Sequence, residues 1–146
     1  MRVALFVSIV LFSSTVFAQV GTKAQMLCKT WVQVGFKPFG KSYMKVDSSA
    51  GKVVTFEANG RYDEVDYGML KFGGSWKFNA DSSKLAVAMD EMNGQKVANV
   101  LPLADTPPTD TLLILTPDSL VYGAEAYYGP NKIYGHDDSY FVPARK

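Results

Sequence analysis

The chain has 146 residues, of which 47% are hydrophobic, 13% aromatic and 20% charged, and its formal net charge is +1. This length and mixed polarity fit one globular domain and exclude a disordered chain, while the near-neutral charge excludes a basic surface for nucleic acid. The single cysteine excludes an intrachain disulfide framework and a cysteine-rich zinc module.

The first 18 residues have the pattern of a secretory signal peptide. Met1 and Arg2 give a short positive start, an apolar run extends from Val3 to Phe12, and Ala18 precedes a cleavage site before Gln19. The apolar run is shorter than the roughly 20 residues that a membrane-spanning helix needs, so cleavage is favoured over retention as an anchor. We therefore expect residues 19–146 to form a single secreted or periplasmic domain without a membrane span.

The rest of the chain is typical of an antiparallel β-protein. Thr22 to Cys28 predicts one or two helical turns, with Cys28 packed beside Leu27 and Trp31. Short β-segments are predicted at Thr30–Phe36, Val53–Glu57, Arg61–Tyr67, Ser75–Asn79, Lys84–Asp90, Lys96–Leu101, Thr111–Thr116, Leu120–Tyr122 and Ser139–Val142. Such a run of short strands must close into a barrel or stack as two sheets to protect its edges.

Turn residues separate these segments. Ala58-Asn59-Gly60 predicts a tight hairpin, because Asn-Gly tolerates positive φ angles, and Asn93-Gly94 predicts another turn. Gly73-Gly74 predicts a break, and Asp105 to Asp110 a proline-rich loop.

Alternation of apolar and polar residues indicates which side chains face the core. Trp31 is expected to plug one end of the barrel, and Thr111–Thr116 is continuously apolar, which predicts a buried strand. The large side chains expected to face inward are Phe56, Trp76, Phe78, Leu85, Met89, Leu113 and Leu115.

Five motifs, in order, resemble those of small secreted lipocalin-like domains common in Bacteroidetes-type bacteria. They are LCKTW at 27–31, VTFEANGRYD at 54–63, GGSWKF at 73–78, KLAV at 84–87 and ILTPDSLVY at 114–122. Lys29 stands where that family has a glycine. The resemblance implies an all-β fold, an antiparallel meander barrel of about eight strands with a short N-terminal helical turn. It implies no catalytic residue and no cofactor, since that family has no shared activity.

Two polar groups are candidate sites. His136, the only histidine, precedes Asp137 and Asp138 in a segment rich in turn formers; a solvated loop is favoured over a catalytic or metal-binding role with Asp138. The acidic group Asp63, Glu64 and Asp66 is interpreted as a hydrated outer face neutralised by Arg61, in preference to a calcium or acid–base site. No metal site or catalytic residue is predicted.

Tyrosines are concentrated in the last part of the chain, and flat rings with hydroxyl edges beside a barrel opening suit a ligand or a partner protein. The leading hypothesis is a non-enzymatic exported module that binds a small, largely apolar ligand. The alternatives are a protein-interaction or inhibitor module with a filled barrel and, less favoured, a hydrolase or isomerase using His136. The candidate ligand-binding residues are Trp76, Phe78, Tyr122, Tyr127, Tyr128 and Tyr134.

Overall fold

Strands account for most of the described residues, and several of them have one buried face, as the alternation predicts. The computed structural model describes residues 22–97, 109–128 and 133–145. A short helix covers residues 22–27. The strands are β1 (Thr30–Lys37), β2 (Met44–Lys45), β3 (Val53–Phe56), β4 (Arg61–Asp66), β5 (Leu70–Phe78), β6 (Lys84–Met92), β7 (Gln95–Lys96), β8 (Thr109–Thr116), β9 (Ser119–Tyr128) and β10 (Ile133–Pro143).

Eight of these strands form a closed antiparallel barrel, which confirms the predicted fold class. Their order around the barrel is β1, β3, β4, β5, β6, β8, β9 and β10, and β10 pairs back onto β1. The two-residue strands β2 and β7 are additions to β1 and β6. Among the described residues, no helix is long and apolar enough to span a membrane.

The end of the barrel next to the helix, which we call the base, is filled by side chains. Trp31 is fully buried there, and its indole N–H donates to the carbonyl of Leu27 over 2.9 Å, so the helix closes the base. The Trp76 ring makes edge-to-face contacts with Phe56 and Phe78. Each fully buried apolar side chain of this size contributes about 1.5–3 kcal/mol. The prediction that Trp31 plugs one end of the barrel is confirmed.

Three tight turns depend on positive φ angles. Gly60 has φ 87° in the predicted hairpin, and Asn93 and Gly94 have φ 50° and 80° in the second predicted turn. The third turn joins β4 to β5, with φ 49° at Tyr67 and 67° at Gly68. A turn with positive φ at both central positions favours Asn, Asp or Gly there, so a tyrosine at position 67 is unusual.

Two side chains expected in the core are exposed. Met89 and Leu113 are 37% and 41% exposed. Both lie at β-bulges: the register between β5 and β6 shifts beside Met89, and Leu113 is the extra residue of β8 against β9. A bulge bends a strand and interrupts its alternation. The prediction that Thr111–Thr116 is continuously buried is therefore wrong, although Leu115 packs against the core.

Several strands extend further than predicted. Gly73-Gly74 lies inside β5 and is no break; a Cβ on Gly74 would lie 2.0 Å from the carbonyl oxygen of Ala88, so a glycine is needed for this close approach. Thr109 and Asp110 begin β8 and are not part of a loop.

Of the strand predicted at 96–101, only Lys96 lies in β7; residues 98–101, like residues 1–18, are outside the described residues.

Candidate functional site

The opposite end of the barrel from the helix, which we call the mouth, holds a cavity. Its volume is about 360 Å3, within the range of small-molecule sites. Its described lining residues come from β1, from β2 and the residue after it, from β10 and from both ends of the β3–β4 hairpin: Gln33, Phe36, Met44, Lys45, Val46, Lys52, Asp66, Tyr67 and Ser139. The interior is thus packed at the base and open at the mouth.

A bulge in β1 positions two of these residues. The register of β1 against β10 shifts between Gln33 and Gly35, so Gln33 and Phe36, three positions apart, both line the cavity. The buried Gln33 amide donates to Ser139 Oγ over 3.4 Å and accepts from the backbone N–H of Lys52 over 3.3 Å. These two hydrogen bonds fix the amide across the junction of β10, β1 and β3.

A buried carboxylate lies below this amide. Glu64 is 4% exposed; it accepts a hydrogen bond from the Tyr62 hydroxyl, and Lys52 Nζ lies 2.9 Å from its Oε1. A carboxylate removed from water needs such partners to remain charged. The interpretation of Glu64 as part of a hydrated outer face is therefore wrong. Asp63 does face outward, where it binds Arg61 over 3.0 Å.

Two tyrosines surround the carboxylate with neutral phenol groups. Burial, together with the nearby Tyr122 phenol and the charge of Glu64, raises the pKa of Tyr62 far above its ordinary value. Burial, with the charges of Glu64 and Asp110, likewise raises the pKa of Tyr122, whose ring stacks on Phe141 with centroids 5.1 Å apart. Both phenols therefore stay protonated at any physiological pH.

Asp66 brings a second carboxylate to the cavity. Its Oδ1 atom is buried, and no donor among the described residues lies within hydrogen-bond distance of it. A buried acceptor without a partner costs free energy until a donor reaches it. Since Asp66 lines the cavity, a bound molecule carrying an N–H or O–H group would meet this requirement.

The structure divides the six predicted ligand residues among three places. Trp76 and Phe78 lie at the base, beside a shallow surface hollow of about 490 Å3, and the Trp76 indole donates to the carbonyl of Glu57 over 3.0 Å. Tyr122 lies in the core between the base and the cavity. The backbones of Tyr127 and Tyr134 are paired, and Tyr128 pairs with Ile133. The side chains of these three tyrosines are outside the described residues, so their role stays a prediction.

The His136 segment is a strand and not a solvated loop. His136 and Asp138 lie on the same face of β10, above Gly123, and His136 Nδ1 is 2.7 Å from Asp138 Oδ1. Within the described parts of the chain, no group of three or more His, Cys, Asp or Glu side chains is arranged to hold a metal ion. The pair is thus an ordered feature of the barrel wall, and neither residue is among the described lining of the mouth cavity.

Cys28 follows the helix and is a free, partly buried thiol. Partial burial raises the pKa of the thiol, so the reactive thiolate is disfavoured. This environment agrees with a packing role.

Comparisons with known proteins identify the fold. No protein-family model matches the chain, and no match is found among curated proteins. Among solved structures, the chain is similar to a lipocalin-like protein from Bacteroides uniformis, with 14% identity over 82% of this chain and 99% of that one and a TM-score of 0.56. It is also similar to an uncharacterized protein from Bacteroides eggerthii, with 15% identity over 81% and 99% of the two chains and a TM-score of 0.54. These similarities confirm the lipocalin-like barrel predicted from the motifs.

Proposed function

We propose that this domain is a non-enzymatic binding module that takes a small, largely apolar molecule into the mouth cavity. The observation that carries the proposal is a 360 Å3 cavity lined by Phe36, Met44 and Val46 as well as by polar groups. Ligand sites combine apolar surface with placed polar groups, and this lining contains both, with polar residues making up about half of it. The packed base limits the depth that a ligand can reach.

The polar groups indicate how such a molecule would be oriented. Its apolar body would pack against Phe36 and Val46, and a hydrogen-bond donor would reach the buried Oδ1 of Asp66. Lys52 is already engaged by Glu64, so it offers fewer free donors to an anionic group. We therefore propose a ligand with one hydroxyl or amine group at the end of an apolar body.

Native mass spectrometry of the purified protein, followed by thermal-shift measurements across a panel of lipids and sterols with hydroxyl or amine groups, tests this proposal. We expect a bound molecule or a shifted melting temperature. Val46→Phe fills the cavity and should abolish the shift, whereas Val142→Phe, on an exposed site outside the lining, should preserve it. Absence of any bound species and of any shift in the parent would reject ligand binding.

We also propose that the protein is exported and that residues 1–18 are removed. The sequence pattern of that segment supports this, and the test is the mass of the protein recovered from the expressing cell, which should begin at Gln19. A retained Met1 would contradict it.

The non-enzymatic assignment rests on the similar structures, whose names include no enzyme, and on a cavity without His136 among its described lining residues. The hydrolase or isomerase alternative needs the His136–Asp138 pair. Should any activity be found, its full retention in His136→Ala would exclude that pair as its source.

A further inference from the structure

Two segments around the mouth share an uncommon composition. Residues 37–45 and 67–71, which we call the mouth rim, contain four lysines and no Asp or Glu. All four lysines are exposed: Lys37, Lys41, Lys45 and Lys71. The rim also holds six exposed large apolar side chains: Phe39, Tyr43, Met44, Tyr67, Met69 and Leu70. Elsewhere in the described chain, exposed apolar side chains of this size are scattered over β6, β8 and β10.

The two segments are neighbours. Met44, Lys45 and Tyr67 all line the mouth cavity, so the segments face each other across its opening. Met69, at the tip of the β4–β5 turn, is 77% exposed, and Tyr67 is 65% exposed. The rim therefore presents apolar tips with lysines between them at one end of the barrel.

The first segment is held in place by the barrel wall. The Tyr43 hydroxyl donates to the carbonyl of Val34 over 3.1 Å, and its ring occupies the space that a side chain on Gly35 would fill. The backbone N–H of Phe39 donates to Asp137 over 2.8 Å, and the Phe39 ring fills the space that a side chain on Gly135 would occupy, on the other face of the sheet. Each of these two glycines thus leaves room for one aromatic ring of the rim. Phe39 and Tyr43 are therefore held in place and need little further ordering on contact with a surface.

The second segment keeps a bulky residue where the backbone disfavours one. Tyr67 has φ 49° at the first central position of a turn closed by the Met69 N–H on the carbonyl of Asp66 over 3.1 Å. A left-handed conformation is unfavourable for a residue with a bulky side chain, and Asn or Gly would avoid most of that cost. Nothing in the turn itself requires a phenol ring. A role of Tyr67 in binding therefore explains its presence better than a role in folding.

We infer that the mouth rim docks on the surface of a membrane that contains anionic phospholipids. Lysines beside an apolar surface complement negative headgroups, and Met and Tyr side chains enter the boundary between headgroups and acyl chains. Neither segment contains a carboxylate, which limits the repulsion from such a surface to neighbouring groups such as Asp66 and Asp137. The inference concerns the outer rim and does not depend on whether the cavity binds a ligand.

Flotation of the protein with lipid vesicles tests the inference, with parent and variants compared in the same N-terminally processed form. Vesicles of equal parts phosphatidylglycerol and phosphatidylcholine should bind the parent at least about tenfold more strongly than phosphatidylcholine alone, and added salt should weaken binding. Lys45→Gln with Lys71→Gln should lower the partition coefficient by about tenfold or more. Equal binding to both kinds of vesicle would overturn the inference.

Three variants separate docking from folding. Tyr67→Asn relieves the turn, so it should raise the melting temperature while weakening vesicle binding, a combination that loss of structure cannot produce. The matched controls Lys77→Gln and Ile114→Ser change one exposed lysine and one exposed apolar residue outside the rim, and both should bind like the parent. Rim variants that bind like the parent would refute the inference.

The test also keeps docking apart from the proposed function. Val46→Phe should lose ligand binding and keep vesicle binding, because Val46 lies in the cavity wall and outside the rim.

Discussion

The phenol–carboxylate cluster inside the barrel should make the protein lose stability as the pH becomes alkaline. Tyr62 and Tyr122 have pKa values raised above 10 in the folded state, whereas in the unfolded chain they ionise near 10. A raised folded pKa contributes stability that is complete below the unfolded pKa and is lost as the pH rises above it. Each tyrosine should therefore lower the free energy of unfolding by about 1.4 kcal/mol per pH unit above about pH 10.

The substitution Tyr62→Phe isolates one of these contributions. At pH 7 it should destabilise the protein by about 1–2 kcal/mol, because Glu64 loses the hydroxyl that donates to it but keeps Lys52. Above about pH 10 the variant loses stability at half the rate of the parent, since only Tyr122 then resists ionisation. The difference between the two proteins should vanish near about pH 11.

Urea unfolding followed by tryptophan fluorescence at a series of pH values measures this difference, because Trp31 is fully buried in the folded state. Tyr67→Phe is the matched control: its ring is exposed, so the substitution should leave both the neutral stability and the alkaline slope unchanged. A Tyr62→Phe destabilisation that stayed constant from neutral to alkaline pH would show that the Tyr62 phenol is not held neutral by its surroundings.

Three further substitutions probe the barrel wall and base. Gly74→Ala puts a Cβ 2.0 Å from the Ala88 carbonyl and should cost about 3 kcal/mol in urea unfolding; parent-like stability would contradict that close approach. Trp31→Phe removes the indole donor to Leu27 and should cost about 2 kcal/mol while speeding hydrogen exchange in residues 22–27; unchanged exchange would show that the helix is held otherwise. Ser82→Gly relieves the backbone strain of φ 57° and removes a buried hydroxyl without a partner among the described residues. The free energy of unfolding should therefore increase by about 1 kcal/mol, and the melting temperature should rise with it; a lower melting temperature would count against both effects.

The strands and hairpins were predictable because their signals are local. Alternation of apolar and polar residues predicts a strand, and Asn-Gly at 59–60 and 93–94 predicts a turn, from neighbouring residues alone. The extra residues at the bulges are set by contacts between strands distant in sequence. That is why the exposure of Met89 and Leu113 could not be derived from their own segments.

The burial of Glu64 contradicts the expectation that a charged side chain in a strand faces water. The hairpin register contained the correct answer: Phe56 pairs with Tyr62, and Val54 pairs with Glu64. If the apolar Val54 and Phe56 face inward, their partners must do so too, since paired residues lie on the same face of a sheet. The cavity itself could not be predicted, because it depends on the β1 bulge and on how far side chains from the base fill the interior.

Closure of the barrel constrains when this chain can fold. Gln33 of β1 and Ser139 of β10 form a hydrogen bond across 106 positions, so the first and last strands of the barrel meet only after nearly all of the intervening chain exists. Until β10 has been synthesised, the edge of β1 that pairs with β10 stays without this partner. Pairings between strands so distant in sequence also form slowly. Such a chain gains most of its stability in one late step, when the barrel closes. A chain that crosses a membrane before that step crosses it unfolded, so its transport requires no unfolding of a closed barrel.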